Sequence, residues 1–249
     1  MLTCVVIPHF DHFDEFQQML PGLVAQELPL VVVDDASSNQ TYDALVRLLD
    51  EYAPRSILIR HAENLGKGGA VMTGLRSALD AGYTHALQID ADGQHDTGAI
   101  ALLVATASRH QDSIICGEPV FDKSISKLRF YARYITLYFC WLEALSTDIR
   151  DAMCGFRLYP LQQVAALVEK SHPGKRMSFD SEILVRAVWA GIPLKFVPVQ
   201  VTYPEGGRSH FRMIRDNLEI SWMHTRLVLG MIIRLPELLR RRRQRRNTP

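Results

Sequence analysis

The feature that most restricts what this chain can fold into is a recurring apolar run that does not alternate with polar residues. Residues 3–7 (TCVVI), 30–34 (LVVVD), 56–60 (SILIR), 86–90 (ALQID) and 113–117 (SIICG) are such runs. A strand with one wet face alternates apolar and polar residues, whereas a continuous Val/Ile/Leu run is covered on both faces, as in parallel sheets. The segments between them, near 13–26, 39–53, 67–81 and 97–110, read as helices. This alternation predicts an α/β domain with a mostly parallel central sheet and helices on both faces. Ser37, Ser38 and Asn39 offer N-cap chemistry to the second helix, and Asp96 and Thr97 to the fourth.

After residue 118 the rhythm changes. Residues 126–147 read as one long helix rich in rings (Phe130, Tyr131, Tyr134, Tyr138, Phe139, Trp141). A polar segment, Asp151 through Arg157 (DAMCGFR), precedes helices near 160–170 and 179–190 and a strand at 195–201. Residues 204–209 (PEGGRS) read as a loop, and 210–246 as helix broken near Pro236, where the missing N–H interrupts the ladder. With no internal repeat or low-complexity linker, residues 1–209 are expected to form one domain and 210–249 a helical C-terminal extension with a basic tail.

The net charge of +1 hides an asymmetry: residues 240–249 hold six arginines and no acid, and the rest of the chain is mildly acidic. Four scattered cysteines lack any Cys-x-x-Cys spacing, so neither a zinc ribbon nor a disulfide framework is indicated. No run of 18 uncharged apolar residues suggests a membrane span, and the first strand begins at once, leaving no room for a signal peptide. A reducing, cytoplasmic setting is expected.

Two of the apolar runs end in paired acids, Asp34-Asp35 and Asp90-Ala-Asp-Gly-Gln-His-Asp96. Open α/β sheets bind ligands at the C-terminal edge of their strands. Two acidic strand ends therefore point to a shared site for a divalent cation and a diphosphate. Mg²⁺ or Mn²⁺ takes one or two carboxylates plus substrate phosphates; Asp92 is the candidate ligand, and Gln94 can add a carbonyl oxygen or hold a bound water. The competing reading is a capped turn. Asp35 can accept from a ribose or a base, or close an Asx-turn.

Asn64-Leu-Gly-Lys-Gly-Gly-Ala70 is a glycine-rich turn that can offer N–H groups and Lys67 to an anion, or simply allow tight packing. It lacks the upstream glycine and the Ser/Thr of a P-loop. Arg157 can clamp a phosphate or sit in a buried pair with an aspartate. Asp180 and Glu182 open a helix, where acids also suit the macrodipole. The apolar segment from Trp222 onward, followed by Arg240 through Arg246, fits an anionic membrane surface, and the acidic body argues against nucleic acid. Hydrolase chemistry has no Gly-x-Ser-x-Gly anchor.

Together, Val5-Val-Ile-Pro8, Val32 through Thr41, Asn64 through Ala70, Asp90 through Asp96, Asp151 through Arg157 and Phe179-Asp-Ser-Glu-Ile183 resemble family 2 glycosyltransferases of the GT-A fold. The likeness is greatest to the dolichol-phosphate mannosyltransferase and polyprenyl-phosphate glycosyltransferase branch. It spans roughly residues 1–205. It implies an inverting, metal-dependent (Mg²⁺ or Mn²⁺) enzyme that moves a sugar from a nucleotide-diphosphate donor to a lipid or lipid phosphate. Such an enzyme is expected at the membrane face, peripheral on the inner side of the cell membrane.

By the same resemblance Pro8, Phe10, Asp35, Lys67, Asp90 and Ala91 serve the nucleotide sugar, with Asp92 and Gln94 facing the metal. Arg157 falls near a phosphate, Asp180 where hydroxyl-using members keep a base, and Glu182 at a further carboxylate of the catalytic set. The chain departs from the pattern after Pro8, where His9-Phe10-Asp11-His12 lacks the usual glutamate, and no tandem membrane helices follow. Two other readings are a sugar-phosphate nucleotidyltransferase and a non-catalytic membrane-associated binding protein. The first wants a Gly-rich, Arg-containing loop that residues 8–14 do not provide.

Overall fold

The computed structural model describes residues 1–121, 127–202 and 212–246. Its elements, in order, are β1 (Thr3–His9), α1 (Phe13–Val24), β2 (Leu30–Asp34), α2 (Asn39–Tyr52), β3 (Ile57–Arg60), α3 (Lys67–Asp80), β4 (His85–Gln88), α4 (Ile100–Arg109) and β5 (Ile114–Phe121). There follow α5 (Lys127–Ala144), β6 (Arg157–Pro160), α6 (Leu161–Ser171), α7 (Phe179–Ala190), β7 (Leu194–Val201) and α8 (Met213–Arg246). A 3₁₀ turn at Thr97–Ala99 leads into α4.

The strands form one sheet in the order β3-β2-β1-β4-β6-β5-β7. Its pairs are parallel except around β6, which runs antiparallel to both β4 and β5. The continuous apolar runs are covered on both sides, as their composition requires. Val5 and Ile7 of β1 join Phe16, Leu20 and Leu23 of α1, Leu45 of α2 and Leu103 of α4. Cys4 and Val6 join Val71 and Leu75 of α3, Ile183 and Leu184 of α7, and Met223 and Leu227 of α8. β7 buries every second residue over Val197–Val201 and carries an exposed Pro198, as an edge strand tolerates. The expected caps form: Ser38 Oγ accepts the Thr41 N–H at 3.2 Å, and Asp96 Oδ1 the Gly98 N–H at 2.8 Å.

Two elements differ from the sequence reading. Residues 157–160 form a strand that periodicity does not reveal, because it is four residues long, begins with an arginine and ends at Pro160. The helix expected to break near Pro236 runs through it without interruption. Proline removes one ladder bond, but contacts on both sides hold the axis. Arg234 stacks 4.7 Å over the Trp189 ring, Leu238 is buried, and Arg241 Nη1 donates to Trp189 O at 2.7 Å. Arg241 thereby satisfies one of the unpaired carbonyls at the end of α7, a task the sequence reading gave to no tail arginine. The loop at 204–209 and the 209/210 boundary lie outside the described residues.

Candidate active site

Because β1, β2 and β4 are parallel, their C-terminal ends open on one edge, which carries His9, Asp34 and the start of the Asp90 turn. Asp34 is sealed there. Its Oδ1 lies 3.3 Å from His9 Nδ1, and its Oδ2 accepts the Ser37 N–H at 3.3 Å and faces Arg60 Nε at 3.5 Å. Burial pushes this carboxyl up, but the bonds from His9 and Ser37 outweigh it and hold Asp34 below its ordinary value.

Asp35 is also consumed. Its oxygens take the Leu65 N–H at 2.8 Å, the Gly66 N–H at 2.7 Å and His61 Nδ1 at 2.7 Å, and the residue is 2% exposed. Asp35 thus ties down the glycine-rich turn, where the resemblance had it beside a base or ribose. Gly66, at φ +90°, ends that turn and α3 begins at Lys67. A Cβ on Gly66 would stand 2.8 Å from Lys175 O, and one on Gly68 2.4 Å from Phe179 Cβ. The glycines therefore let the turn press against residues 174–179, to which the Gly69 N–H is joined through Lys175 O at 2.7 Å.

Lys67 is the centre of the site. Its Nζ lies 2.7 Å from Asp90 Oδ2 and 2.7 Å from Asp180 Oδ2, at the start of α7. Burial opposes the ammonium charge, but Asp180 and then Asp90 hold it above the ordinary lysine value. Asp180 Oδ1 is met by Gln88 Nε2 at 3.4 Å, and Gln88 Oε1 accepts from Tyr159 OH at 3.0 Å. A Cβ at Gly155 would stand 2.6 Å from Lys67 Nζ and 2.7 Å from Asp90 Oδ2. Glycine at 155 is what leaves room for the Lys67–Asp90 pair.

Asp90 and Asp92 differ from the first pair in being incompletely satisfied. Burial raises Asp90, but the Lys67 charge, together with His95 and hydrogen bonds from Lys67 and Gln88, outweighs it and holds Asp90 below its ordinary value, while its Oδ1 is buried with no hydrogen-bond partner among the described residues. Burial and then the Asp90 charge push Asp92 up to about 6. His95, three residues on, is pulled down to about 4 by burial and is neutral at pH 7.

A vacant buried oxygen beside a carboxylate that resists ionisation is a site short of positive charge. Its donors, Asp90, Asp92 and the Gln94 amide, are hard oxygens suited to Mg²⁺ or Mn²⁺. No group of three or more His, Cys, Asp or Glu side chains could hold a metal among the described residues.

The sequence pattern of Glycosyl transferase family 2 matches residues 4–168, a span that holds Lys67, Asp90, Asp92, Gly155 and Arg157. The chain belongs to glycosyl transferase family 2. It is 26% identical over 216 residues to a dolichyl-phosphate β-glucosyltransferase of Dictyostelium discoideum, covering 81% of this chain and 64% of that protein. It is 24% identical to a UDP-N-acetylglucosamine–dolichyl-phosphate N-acetylglucosaminyltransferase of Methanococcus voltae, covering 93% and 98%. An undecaprenyl-phosphate mannosyltransferase of Micrococcus luteus is 25% identical, with 93% and 100% covered.

The fold is shared with glucosyl-3-phosphoglycerate synthase of Mycobacterium tuberculosis, solved with Mn²⁺, UDP-glucose and phosphoglyceric acid (TM-score 0.65, 13% identity, 93% of this chain and 78% of that one). It is also shared with a mannosyltransferase of Pyrobaculum calidifontis, solved with GDP-mannose and Mn²⁺ (TM-score 0.56, 18% identity, 83% and 58% covered). The GT-A architecture expected from the sequence is thus found in the family member.

The structure sorts the expected site residues into two groups. Lys67, Asp90 and Asp180 meet directly, with Asp92 and Gln94 in the adjoining turn. Pro8 is buried at the end of β1 and Phe10 is half-buried just beyond it. Ala91 is 2% exposed with its methyl in the core around Ile89, so only its backbone can serve a ligand.

Arg157 sits beneath the site, fully buried. Its Nη1 donates to Asp180 O at 2.6 Å and its Nη2 to Ala152 O at 3.1 Å. Its Nη1 also lies 3.9 Å from Asp180 Oδ1, so Arg157 supports Asp180 in the buried Arg–Asp pair that the sequence left open beside the phosphate clamp. Glu182 is also fully buried and faces away from Lys67 toward Arg186 and Arg226. Gln88 and Tyr159, which sequence reasoning did not select, complete the polar floor. They lie inside strands, where one polar residue in an apolar run carries no signal until its partners are known.

Proposed function

We propose that this protein transfers a sugar, with inversion, from a nucleoside-diphosphate donor to the phosphate of a polyprenyl-type lipid. The observation that carries the reading is the Lys67 ammonium seated between Asp90 and Asp180, beside a buried Asp90 oxygen with no hydrogen-bond partner among the described residues. Asp92 and Gln94 would hold a divalent cation, which supplies positive charge opposite the departing nucleoside diphosphate. Asp90 and Lys67 orient the donor at the same strand edge. Pro8 and Phe10, at the end of β1, lie on the nucleotide side.

The acceptor class follows from Asp180. One of its oxygens is held by Lys67 and the other faces Gln88 Nε2. A hydroxyl acceptor would need Asp180 to take its proton, in competition with those partners. A phosphate arrives already ionised and needs no base. The names of the dolichyl- and undecaprenyl-phosphate relatives agree with this choice.

A lipid acceptor calls for a membrane-facing surface. The outer face of α8 carries Ile214, Leu218, Trp222, Leu229, Ile232 and Ile233, each at least half exposed, and ends in Arg240, Arg242 and Arg243. Tyr131, Tyr134, Ile135 and Tyr138 of the neighbouring α5 are exposed as well. No helix among the described residues is long and apolar enough to cross a membrane. We propose that this exposed apolar and basic surface rests on an anionic bilayer, on its cytoplasmic side.

The direct test incubates the protein with UDP-, GDP- or dTDP-sugars, Mn²⁺ or Mg²⁺, and a polyprenyl phosphate in anionic vesicles. Labelled sugar should appear in the lipid fraction. Transfer to a free polyprenol, or none with any donor, would overturn the reading. The double variant Trp222→Glu/Ile233→Glu should lose vesicle co-sedimentation and keep donor binding; undiminished sedimentation would remove α8 as the contact.

A further inference from the structure

Glu182 presents a fully buried carboxylate two residues after Asp180, and three separate parts of the molecule converge on it. Its Oε2 accepts the Gly174 N–H at 2.8 Å and Arg226 Nη2, from α8, at 3.2 Å. Its Oε1 accepts Arg186 Nε at 2.8 Å and Nη2 at 2.5 Å from its own helix. Arg186 already neutralises Glu182 locally. The second guanidinium therefore does something charge balance does not demand: it joins α8 to α7. Arg226 Nε is buried without a hydrogen-bond partner among the described residues. Desolvating it is costly, and the bonds to Glu182 are what offset that cost.

The other side of Glu182 leads to Lys67. Gly174, held by Glu182, precedes Lys175, whose carbonyl accepts the Gly69 N–H at 2.7 Å. Gly69 lies in the first turn of α3, two residues after Lys67. The contact has little play: a Cβ on Gly68 would stand 2.8 Å from Gly174 O, and one on Gly66 2.8 Å from Lys175 O. The first turn of α7 thus divides its two acids, with Asp180 facing Lys67 and Glu182 facing α8.

We propose that Glu182 is a positioning residue that ties α8 through the 174–175 loop to the start of α3, so that the C-terminal helix completes the seat of Lys67. The link rests on the proposed function only where Lys67 is read as a donor contact. A second tether, Glu143 of α5 to His224 of α8 at 2.7 Å, keeps α8 in place when Arg226 alone is changed. Loss of Arg226 should therefore loosen the loop without detaching the helix.

The test uses the full-length protein with Arg226→Gln, Arg226→Lys, Glu182→Gln and the double variant Glu182→Gln/Arg226→Gln. Two quantities are read: the affinity for a UDP- or GDP-sugar with Mn²⁺, together with kcat and KM, and amide exchange at Gly69. Arg226→Gln should weaken donor binding about tenfold, more through KM than kcat, and speed Gly69 exchange about tenfold, with Arg226→Lys recovering most of both. The double variant should be no worse than Glu182→Gln alone. A lowered Tm with donor affinity and Gly69 exchange as in the wild type would reduce Glu182 to a buried ion pair and overturn the proposal. If Glu182→Gln fails to fold, the Arg226 variants decide. If the wild type binds no nucleotide sugar, the proposed function falls, and Gly69 exchange still decides the linkage.

Discussion

The two acidic strand ends look alike in sequence and are put to opposite uses. Asp34 ends β2 and Asp35 follows it, while Asp90 and Asp92 lie just beyond β4, on the same edge of the same sheet. The first pair is saturated: backbone N–H groups, His9, His61 and Arg60 occupy its oxygens. The second pair has, among the described residues, Lys67 as its ion-pair partner, an oxygen with no hydrogen-bond partner and a carboxyl pushed up to about 6. A carboxylate whose bonds are all made within the chain holds a loop; one whose bonds are incomplete is available to a ligand. The same residue type at equivalent positions is thus closed off or left open according to what the following turn can donate.

The strongest way to break this contrast is to neutralise one member of each pair. Asp92→Asn should lower kcat/KM at least about a thousandfold, roughly 4 kcal/mol of transition-state stabilisation, without lowering the Tm of the metal-free protein, because it removes a buried charge repelled by Asp90. Wild-type turnover in steady-state assays would make Asp92 another turn carboxylate. Asp35→Asn should do the reverse. It leaves a backbone N–H without its carboxylate and should cost about 2–4 kcal/mol of unfolding free energy in a urea titration, with turnover per folded molecule falling far less than for Asp92→Asn. Equal losses of activity in the two variants would erase the distinction.

Gly155 sharpens the contrast from the opposite wall. Its Cβ would intrude on the ends of three side chains, Lys67, Asp90 and Gln88, and not on backbone. Gly155→Ala should therefore change the Tm little while lowering kcat/KM about tenfold to a hundredfold, roughly 1.4–2.8 kcal/mol. A variant with unchanged kcat/KM would mean the pair can shift without consequence and is not the working geometry.

How much of this was legible in the sequence depends on the range of the interaction. The parallel strands follow from composition and the shared edge from strand direction, so β1 to β5, and the place of Asp90 and Asp92 just beyond β4, could be read locally. The chemistry of Asp35 could not, because its partners come from residues 61–66, and a Val-Val-Asp-Asp run gives no sign of them. For Arg157 and Glu182 the sequence left a ligand and an internal role both open, for the same reason. Each looks like a charge waiting for a ligand until the fold brings Asp180 O, Ala152 O, Gly174 and Arg226 against it. β6 was hidden because four residues with an arginine at one end carry no period. Pro236 misled because an intrinsic helix breaker was weighed without the Arg234, Leu238 and Arg241 contacts that span it.

The smallest expected effect separates the two pairs by the sign of their pH dependence. Asp34 is held below its ordinary value of 3.8, so its contribution to stability is present above that value and is lost as the pH falls through its folded value. Asp92 is raised from 3.8 to about 6, so its contribution is present below 3.8 and is lost as the pH rises through about 6. In metal-free protein, Asp92→Asn should therefore gain stability relative to the wild type between pH 5 and pH 7, by about 1 kcal/mol once partial solvent contact is allowed for. Asp34→Asn should lose its deficit only as the pH drops below about 4. Paired urea titrations from about pH 2 to 7.5 read both slopes. A flat Asp92→Asn difference would mean that this carboxylate is solvated like any turn acid, and the case for a cation-seeking site would then rest on the vacant Asp90 oxygen alone.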